Sequence, residues 1–339
     1  MKTLKKLSFL LLIFIFFSCS LFDVENDNQY LIMSYNVQNL FDQYDNGNEY
    51  PEFTTSSGWN YEKYKTRLSR LAEVIVQNNP TLPSVVMFQE IENEKVLEDL
   101  LTSHLGKRGF KYYSATNDLN SPIQVGIISR YPIVDTKIHA VQNNRSILEC
   151  TIDFDGSLVI LFNYHAKSRL GGVEETESLR IATSEAITIR YNKILNQKPF
   201  LPVIVAADFN QSADNIIKEG SSYPKALIVA GYETKDDTGL VVTGSKPNKN
   251  QWYTWWLDQK MTLLSDKDGS YYYNGRWESF DQILLSHHFF DGWDLEFVKG
   301  EVRGYQPLVT DKGIPNSYNL KTTKGYSDHL PVTVLIKRE

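Results

Sequence analysis

The chain of 339 residues carries a formal charge of −6 and has only two cysteines. The acidic balance argues against a surface that tracks a nucleic-acid backbone, and two cysteines exclude a disulfide framework. Apolar residues make up 42% of the sequence, enough at this length to bury one large core without covalent staples.

Lys2, Lys5 and Lys6 precede a run from Leu7 to Phe17 that is apolar but for Ser8, followed by Ser18 and Cys19. A charged start and a run too short to span a bilayer in comfort make residues 1–18 an export signal. The small residue before Cys19 resembles the lipobox of bacterial lipoproteins, with Phe16 standing where those most often carry leucine. The resemblance implies cleavage at that point, acylation of Cys19, and a domain held at a membrane of the bacterial cell envelope. Losing the three lysines takes the charge from −6 to −9. The polar residues up to 29 form a short tether. Beyond it no linker, repeat or low-complexity tract interrupts residues 30–339, which are expected to form a single domain.

Eight short segments, β-branched or aliphatic and bounded by polar or turn residues, predict strands: Tyr30–Asn36, Ser84–Gln89, Gln124–Ser129, Ile147–Phe154, Leu158–Tyr164, Pro202–Ala206, Phe280–Leu285 and Val332–Ile336. Cys150, the second cysteine, falls inside the fourth. Two stretches instead repeat at helical spacing: Tyr61–Gln77, through Tyr64, Leu68, Leu71 and Ile75, and Glu174–Asn196, through Leu179, Ala182, Ala186 and Ile189. Nearly continuous apolar strands require cover on both faces. The pattern therefore predicts an α+β fold, a four-layered α/β/β/α sandwich.

The informative polar residues stand at the ends of these strands. They are Ser34-Tyr35-Asn36, Gln89-Glu90, Asn163-Tyr164-His165, Asp208-Phe209-Asn210, Asp281, and Ser327-Asp328-His329 before the last strand. Singly, each has an ordinary reading as a turn former, helix cap or packed histidine. Together, in the order Asn, Glu, His, Asp-x-Asn, Asp and Asp-His from Asn36 to His329, they resemble the endonuclease/exonuclease/phosphatase (DNase I-like) superfamily over nearly the whole chain. Asp208-Phe209-Asn210 and Ser327-Asp328-His329-Leu330-Pro331 are the most specific pieces.

The resemblance implies a phosphoester hydrolase. Asn36 and Glu90, joined by Asp328, would hold a divalent cation through oxygen atoms, which suits Mg²⁺ or Mn²⁺. His329, oriented by Asp281, would be the general base for the attacking water. Asp208 and Asn210 would position that water or protonate the leaving oxygen, and His165 would donate to a phosphoryl oxygen. Lys167 is expected to contact phosphate; for Arg145 and Arg169, phosphate contact and solvated surface charge are equally weighted. The remaining histidines match no motif.

In the aromatic stretch, Trp252 to Trp256 is the better candidate for substrate contact, with packing the simpler role, while Tyr271-Tyr272-Tyr273 and Trp277 are expected to form a core strand pair. Many members of the superfamily carry an Asp followed shortly by Arg-Gly near the position of Thr116 to Pro122. This chain lacks the Arg-Gly pair. A nuclease-like phosphodiesterase is the leading expectation. A phosphatase or sphingomyelinase-type phospholipase is the alternative, and a catalytically silent lipoprotein that binds phosphorylated ligands is the alternative of another class.

Overall fold

Period-two alternation of side chains decides what each strand shows to either side. The computed structural model describes residues 28–77, 81–219, 225–258 and 269–339. The signal, Cys19 and most of the tether lie outside the described residues. No described helix is long and apolar enough to cross a membrane.

Two mixed sheets face one another. The six-stranded sheet runs in the order Leu295–Val302, Val332–Arg338, Gln29–Leu40, Val85–Ile91, Gln124–Ser129 and Tyr112–Ala115. The eight-stranded sheet runs Ile133–His139, Ile147–Phe154, Ser157–His165, Val203–Asp208, Asp281–Leu285, Trp252–Tyr253, Leu240–Thr243 and Leu227–Val229. In the first strand, Met33, Tyr35 and Val37 pack outward with Leu68, Leu71 and Ile75 of the helix Tyr61–Val76. Tyr30 and Ile32 pack inward with Leu161, Ile204 and Ile283 of the other sheet. On the far side, Ile160, Phe162 and Val205 meet Ile187, Tyr191 and Ile194 of the helix Val173–Gln197. The layers are thus helix, sheet, sheet, helix, as the sequence predicts.

All eight predicted strands are present with ends moved by a few residues; Gln29, assigned to the tether, already pairs with Lys337. The strands missed are exposed over much of their length or only two to four residues long. Ile133–His139 and Leu295–Val302 are edge strands with much of their length open to solvent, and Trp252–Tyr253 is only two residues long. Trp252, Tyr253, Trp255 and Trp256 are buried core residues. Tyr271–Tyr273 pairs with Arg276–Glu278 as expected, closed by the Asn274-Gly275 turn, but the pair forms a separate two-stranded ribbon and not part of the core.

Inward-facing positions turn polar toward one end of the sandwich. Buried Gln89 donates through Nε2 to Asn163 Oδ1 at 2.8 Å and to Ser34 Oγ at 3.2 Å, and Asn163 Nδ2 donates to the carbonyls of Gly126 at 2.9 Å and Phe88 at 3.0 Å. This network ties the sheets together directly beneath the strand ends. Removing one partner from such a network strands the others without water. Asn163→Ala is therefore expected to cost about 2–3 kcal/mol in urea unfolding; a loss below about 0.5 kcal/mol, the scale of a neutral surface change, would show that the network is dispensable.

Candidate active site

The same alternation that aims Tyr30 and Ile32 into the inter-sheet layer aims Asn36 there, and parity likewise turns His165, Asp208 and Asp281 inward at their strand ends. Register then sets them in a row, since Asp208 lies opposite His165 on the parallel neighbour and opposite Asp281 on the antiparallel one. Glu90 has the wrong parity. Its φ of 66° and the register slip between Gln89 and Ile91 bring its carboxylate back to Asn36, whose Nδ2 donates to Oε1 at 3.0 Å. The Asn39 amide donates to Glu90 Oε2 at 2.9 Å, from an irregularity in the first strand where Gln38 and Asn39 also hold positive φ.

His329 arrives on the loop before the last strand. Ser327 holds it there: its hydroxyl donates to the Asn36 carbonyl at 2.7 Å and accepts from the His329 amide at 3.1 Å. Behind this latch the buried guanidinium of Arg67, on the first helix, donates to the carbonyls of Val37, Gln38 and Tyr326. Nothing in the sequence marks Arg67 for this role, since it shares a helical stripe with core residues.

Asp208 Oδ2 is the geometric centre. It accepts from Asn36 Nδ2 at 3.0 Å and lies 3.4 Å from His165 Nε2 and 3.8 Å from His329 Nε2. Its other oxygen accepts from the Asn210 amide at 2.8 Å. Burial raises the Asp208 pKa to about 7, with His329 opposing and Asp281 adding to the rise. Glu90 is also raised, by burial and then by Asp328. His329 Nδ1 sits 2.8 Å from Asp281 Oδ2. Burial works to lower the His329 pKa, but Asp281 and Asp208 outweigh it and hold the pKa well above 6.5. His165 moves the other way, lowered well below 6.5 by burial and by Arg145, His329 and Lys167, so its imidazole is neutral.

The remaining candidates divide. Arg145 and Lys167 line a groove of about 590 Å³ that opens beside His165. Arg169 does not line it. Its guanidinium donates to the Asn210 carbonyl at 2.8 Å and Asn215 Oδ1 at 2.6 Å and covers the Phe280 ring, which makes it a brace for the Asp208–Asn210 turn. Asp328 acts on Glu90 electrostatically but lies outside both compact carboxylate and histidine clusters. Asp118, in the stretch lacking Arg-Gly, accepts from the amide and hydroxyl of Ser146 and so ties together two groove-lining loops.

The profile of the Endonuclease/Exonuclease/phosphatase family matches residues 31–338. The chain belongs to this family. No curated protein matches its sequence. Solved structures share the fold at low identity. D. rerio TDP2 with single-strand DNA product is 16% identical over 91% of this chain and 99% of its own, with a TM-score of 0.54. The mannosyl-6-phosphatase of Bacteroides thetaiotaomicron is 14% identical over 91% and 99%, at 0.52. The catalytic domain of human Nocturnin with bound sulfate is 13% identical over 92% and 94%, at 0.53.

Among the described residues of this family member, two clusters are compact enough to hold a metal ion, Glu90-His165-Asp208 and Asp208-Asp281-His329. The donor set fits a hard divalent cation, because the carboxylates of half-buried Glu90 and buried Asp208 have no lysine or arginine ion pair among the described residues. Asn36 turns its Nδ2 toward them while Oδ1 accepts from the Gln38 amide. Mg²⁺ or Mn²⁺ is expected to raise the melting temperature relative to chelator, and Glu90→Gln to weaken that response at least tenfold in metal concentration. An equal response in the variant would remove Glu90 from the site.

Proposed function

We propose that this protein hydrolyses phosphodiesters, in the manner of a nuclease, with Mg²⁺ or Mn²⁺. The observation that carries the reading is the His329–Asp281 pair, whose free Nε2 faces Asp208 in a buried site. A pure binder of phosphate gains nothing from an imidazole whose basicity is raised by a dedicated carboxylate.

A bound divalent cation, held by Glu90 with Asp328 beside it and with Asn36 once its amide turns Oδ1 inward, would offset charge gathering on the phosphoryl oxygens. The chain's own groups supply the rest. His329 Nε2 takes a proton from the attacking water while Nδ1–H stays on Asp281, which fixes the tautomer and stabilises the imidazolium. As the water oxygen bonds to phosphorus, the bond to the departing oxygen breaks. Asp208, with its pKa near 7, is suited to give that oxygen a proton. Neutral His165 directs an N–H at a phosphoryl oxygen, and Asn210 holds Asp208 through its backbone. Lys167 and Arg145 meet the substrate's remaining charge from the groove. D. rerio TDP2 has been solved with a DNA product, which supports the diester class. A phosphomonoesterase is the second reading, supported by the asparagines and serines that line the groove.

Metal-dependent cleavage of bis-p-nitrophenyl phosphate is expected to fall about 10²–10⁴-fold in His329→Ala; full activity in the folded variant, or cleavage of monoesters alone, would refute the proposal. The pH profile has a defined sign. A general base must be unprotonated, so a raised His329 pKa places the acid limb of kcat/KM above pH 6.5. Asp281→Asn removes the anion that favours the imidazolium and should move that limb to lower pH while reducing the plateau. A limb that stays in place would show that Asp281 does not tune His329.

We also propose that the protein is exported and anchored through acylated Cys19, a reading supported by the charged start and apolar run of residues 1–18. Cys19→Ser is expected to move the protein from the membrane to the soluble fraction of its host; retention in the membrane would reject the anchor.

A further inference from the structure

The first strand enters the sandwich at the end opposite the site. Seven steps of about 3.3 Å separate Gln29 from Asn36, which puts the entry about 23 Å from the site. Around that entry the Arg338 amide donates to the Asn28 carbonyl, and the Glu339 amide to the Asp294 carbonyl, each at 2.8 Å. Asp294 Oδ1 also accepts from Ser157 Oγ at 2.6 Å, where Ile147–Phe154 turns into Ser157–His165. His288 Nε2 meets the Pro199 carbonyl at 2.8 Å. One end face therefore gathers Asn28, Ser157, Pro199 and Asp294.

Two aromatic rings stand uncovered on that face. Trp293, beside Asp294, is 79% exposed, and Phe200, beside Pro199, is 89% exposed. The turn that carries Trp293 is pinned on both sides: Gly292 and Asp294 hold φ of 84° and 50°, the Gly292 amide donates to Glu296 Oε1 at 2.6 Å, and the Trp293 amide donates to Asp291 Oδ1 at 3.0 Å. The Phe200 turn is closed by the Leu201 amide, which donates to the Lys198 carbonyl at 3.1 Å. A single exposed aliphatic residue is ordinary, but an indole and a phenyl ring held out by braced turns on one face have no packing role within the domain. The acids beside Trp293 are engaged inside the protein, Asp291 by the Trp293 amide and Asp294 by Ser157 and by Arg338 Nε at 3.5 Å.

We infer that this end face rests on the lipid bilayer that holds Cys19, with Trp293 and Phe200 seated among the headgroups, and that the catalytic mouth is thereby turned to the aqueous phase. The inference rests on the anchor reading and not on the chemistry of the reaction. The ten peptide steps from Cys19 to Gln29 reach at most about 35 Å. Bringing the mouth to the same bilayer would take that chain past two neighbouring strands, about 10 Å, and then about 23 Å along the domain, nearly its full extension. With the end face down, the chain needs almost none of that reach. Rings with an apolar body, tryptophan above all, suit the boundary between headgroups and acyl chains, and burying them there adds to what the acyl anchor supplies. The phosphate ester is accordingly drawn from solution, and the lipids of the anchoring membrane stay out of reach of His329.

The test needs no turnover. The full-length protein is purified from host membranes and added to preformed vesicles of phosphatidylethanolamine and phosphatidylglycerol, with a reporter thiol either beside Phe200, as Lys198→Cys, or at the mouth, as Leu170→Cys; both positions are exposed and Cys150 is buried. Labelling by a polar maleimide, each rate divided by that of the urea-unfolded chain, is expected to be about tenfold slower at Lys198→Cys than at Leu170→Cys. Adding Trp293→Ala and Phe200→Ala is expected to bring the two rates together. Equal rates in vesicle-bound protein overturn the resting face and leave the anchor standing, and protection that survives loss of both rings overturns their part in it. Slower labelling at Leu170→Cys overturns the orientation and turns the mouth to the bilayer. Protein absent from the host membrane overturns the anchor and the orientation together.

Discussion

A carboxylate buried without a lysine or arginine paired to it is the constraint around which this protein is organised. Asp208 is 1% exposed and takes its compensation from an amide side chain, a backbone N–H and two imidazoles. An isolated ionised carboxylate is too costly to hold in an apolar layer, so the group keeps a proton up to about pH 7 or borrows stabilisation from every neighbour in reach. The inter-sheet layer accommodates this by grading its polarity. Aliphatic side chains fill its depth, the Ser34-Gln89-Asn163 network comes next, and the charged groups stand at the mouth.

Holding that arrangement takes strain and bracing. Gln38, Asn39, Glu90 and Asn210 all adopt positive φ within or beside the site, conformations that cost free energy unless surrounding contacts impose them. Those contacts come from a distance. Arg67 and Ser327 join the end of the first strand to the loop before the last, and Arg169 holds the Asp208–Asn210 turn. None of the three needs to touch substrate to matter, because each decides where a touching group stands.

The two histidines show how environment assigns roles. Both are buried within reach of Asp208 Oδ2, yet their proton affinities diverge. His165 has cations for neighbours and stays neutral; His329 has Asp281 on Nδ1 and holds its proton strongly. Groups of one kind whose environments push their pKa values apart mark an acid–base division of labour. The Tyr271 ring stacks on the His329 imidazole at 4.5 Å, and the groove cations stand on the His165 side.

Eight strands, both long helices and the layered architecture were legible in the sequence, because a strand buried on both faces and a helix buried on one leave periodic apolar patterns that survive without neighbours. The polar clusters at the strand ends were legible as well, as residue types in order. Edge strands such as Ile133–His139 were not, since an exposed strand has no such period. The Tyr271–Glu278 ribbon was misassigned to the core, although its Asn-Gly pair is a hairpin signal carried by two residues alone. What only the tertiary structure decided was direction and distance. The return of Glu90 against its parity, the brace from Arg67, the diversion of Arg169 from phosphate to scaffold, and the opposite proton affinities of His165 and His329 all arise from contacts between residues far apart in the chain. A linear pattern records which groups are available; only the folded register determines which of them meet in a buried, poorly solvated space where their charges interact strongly.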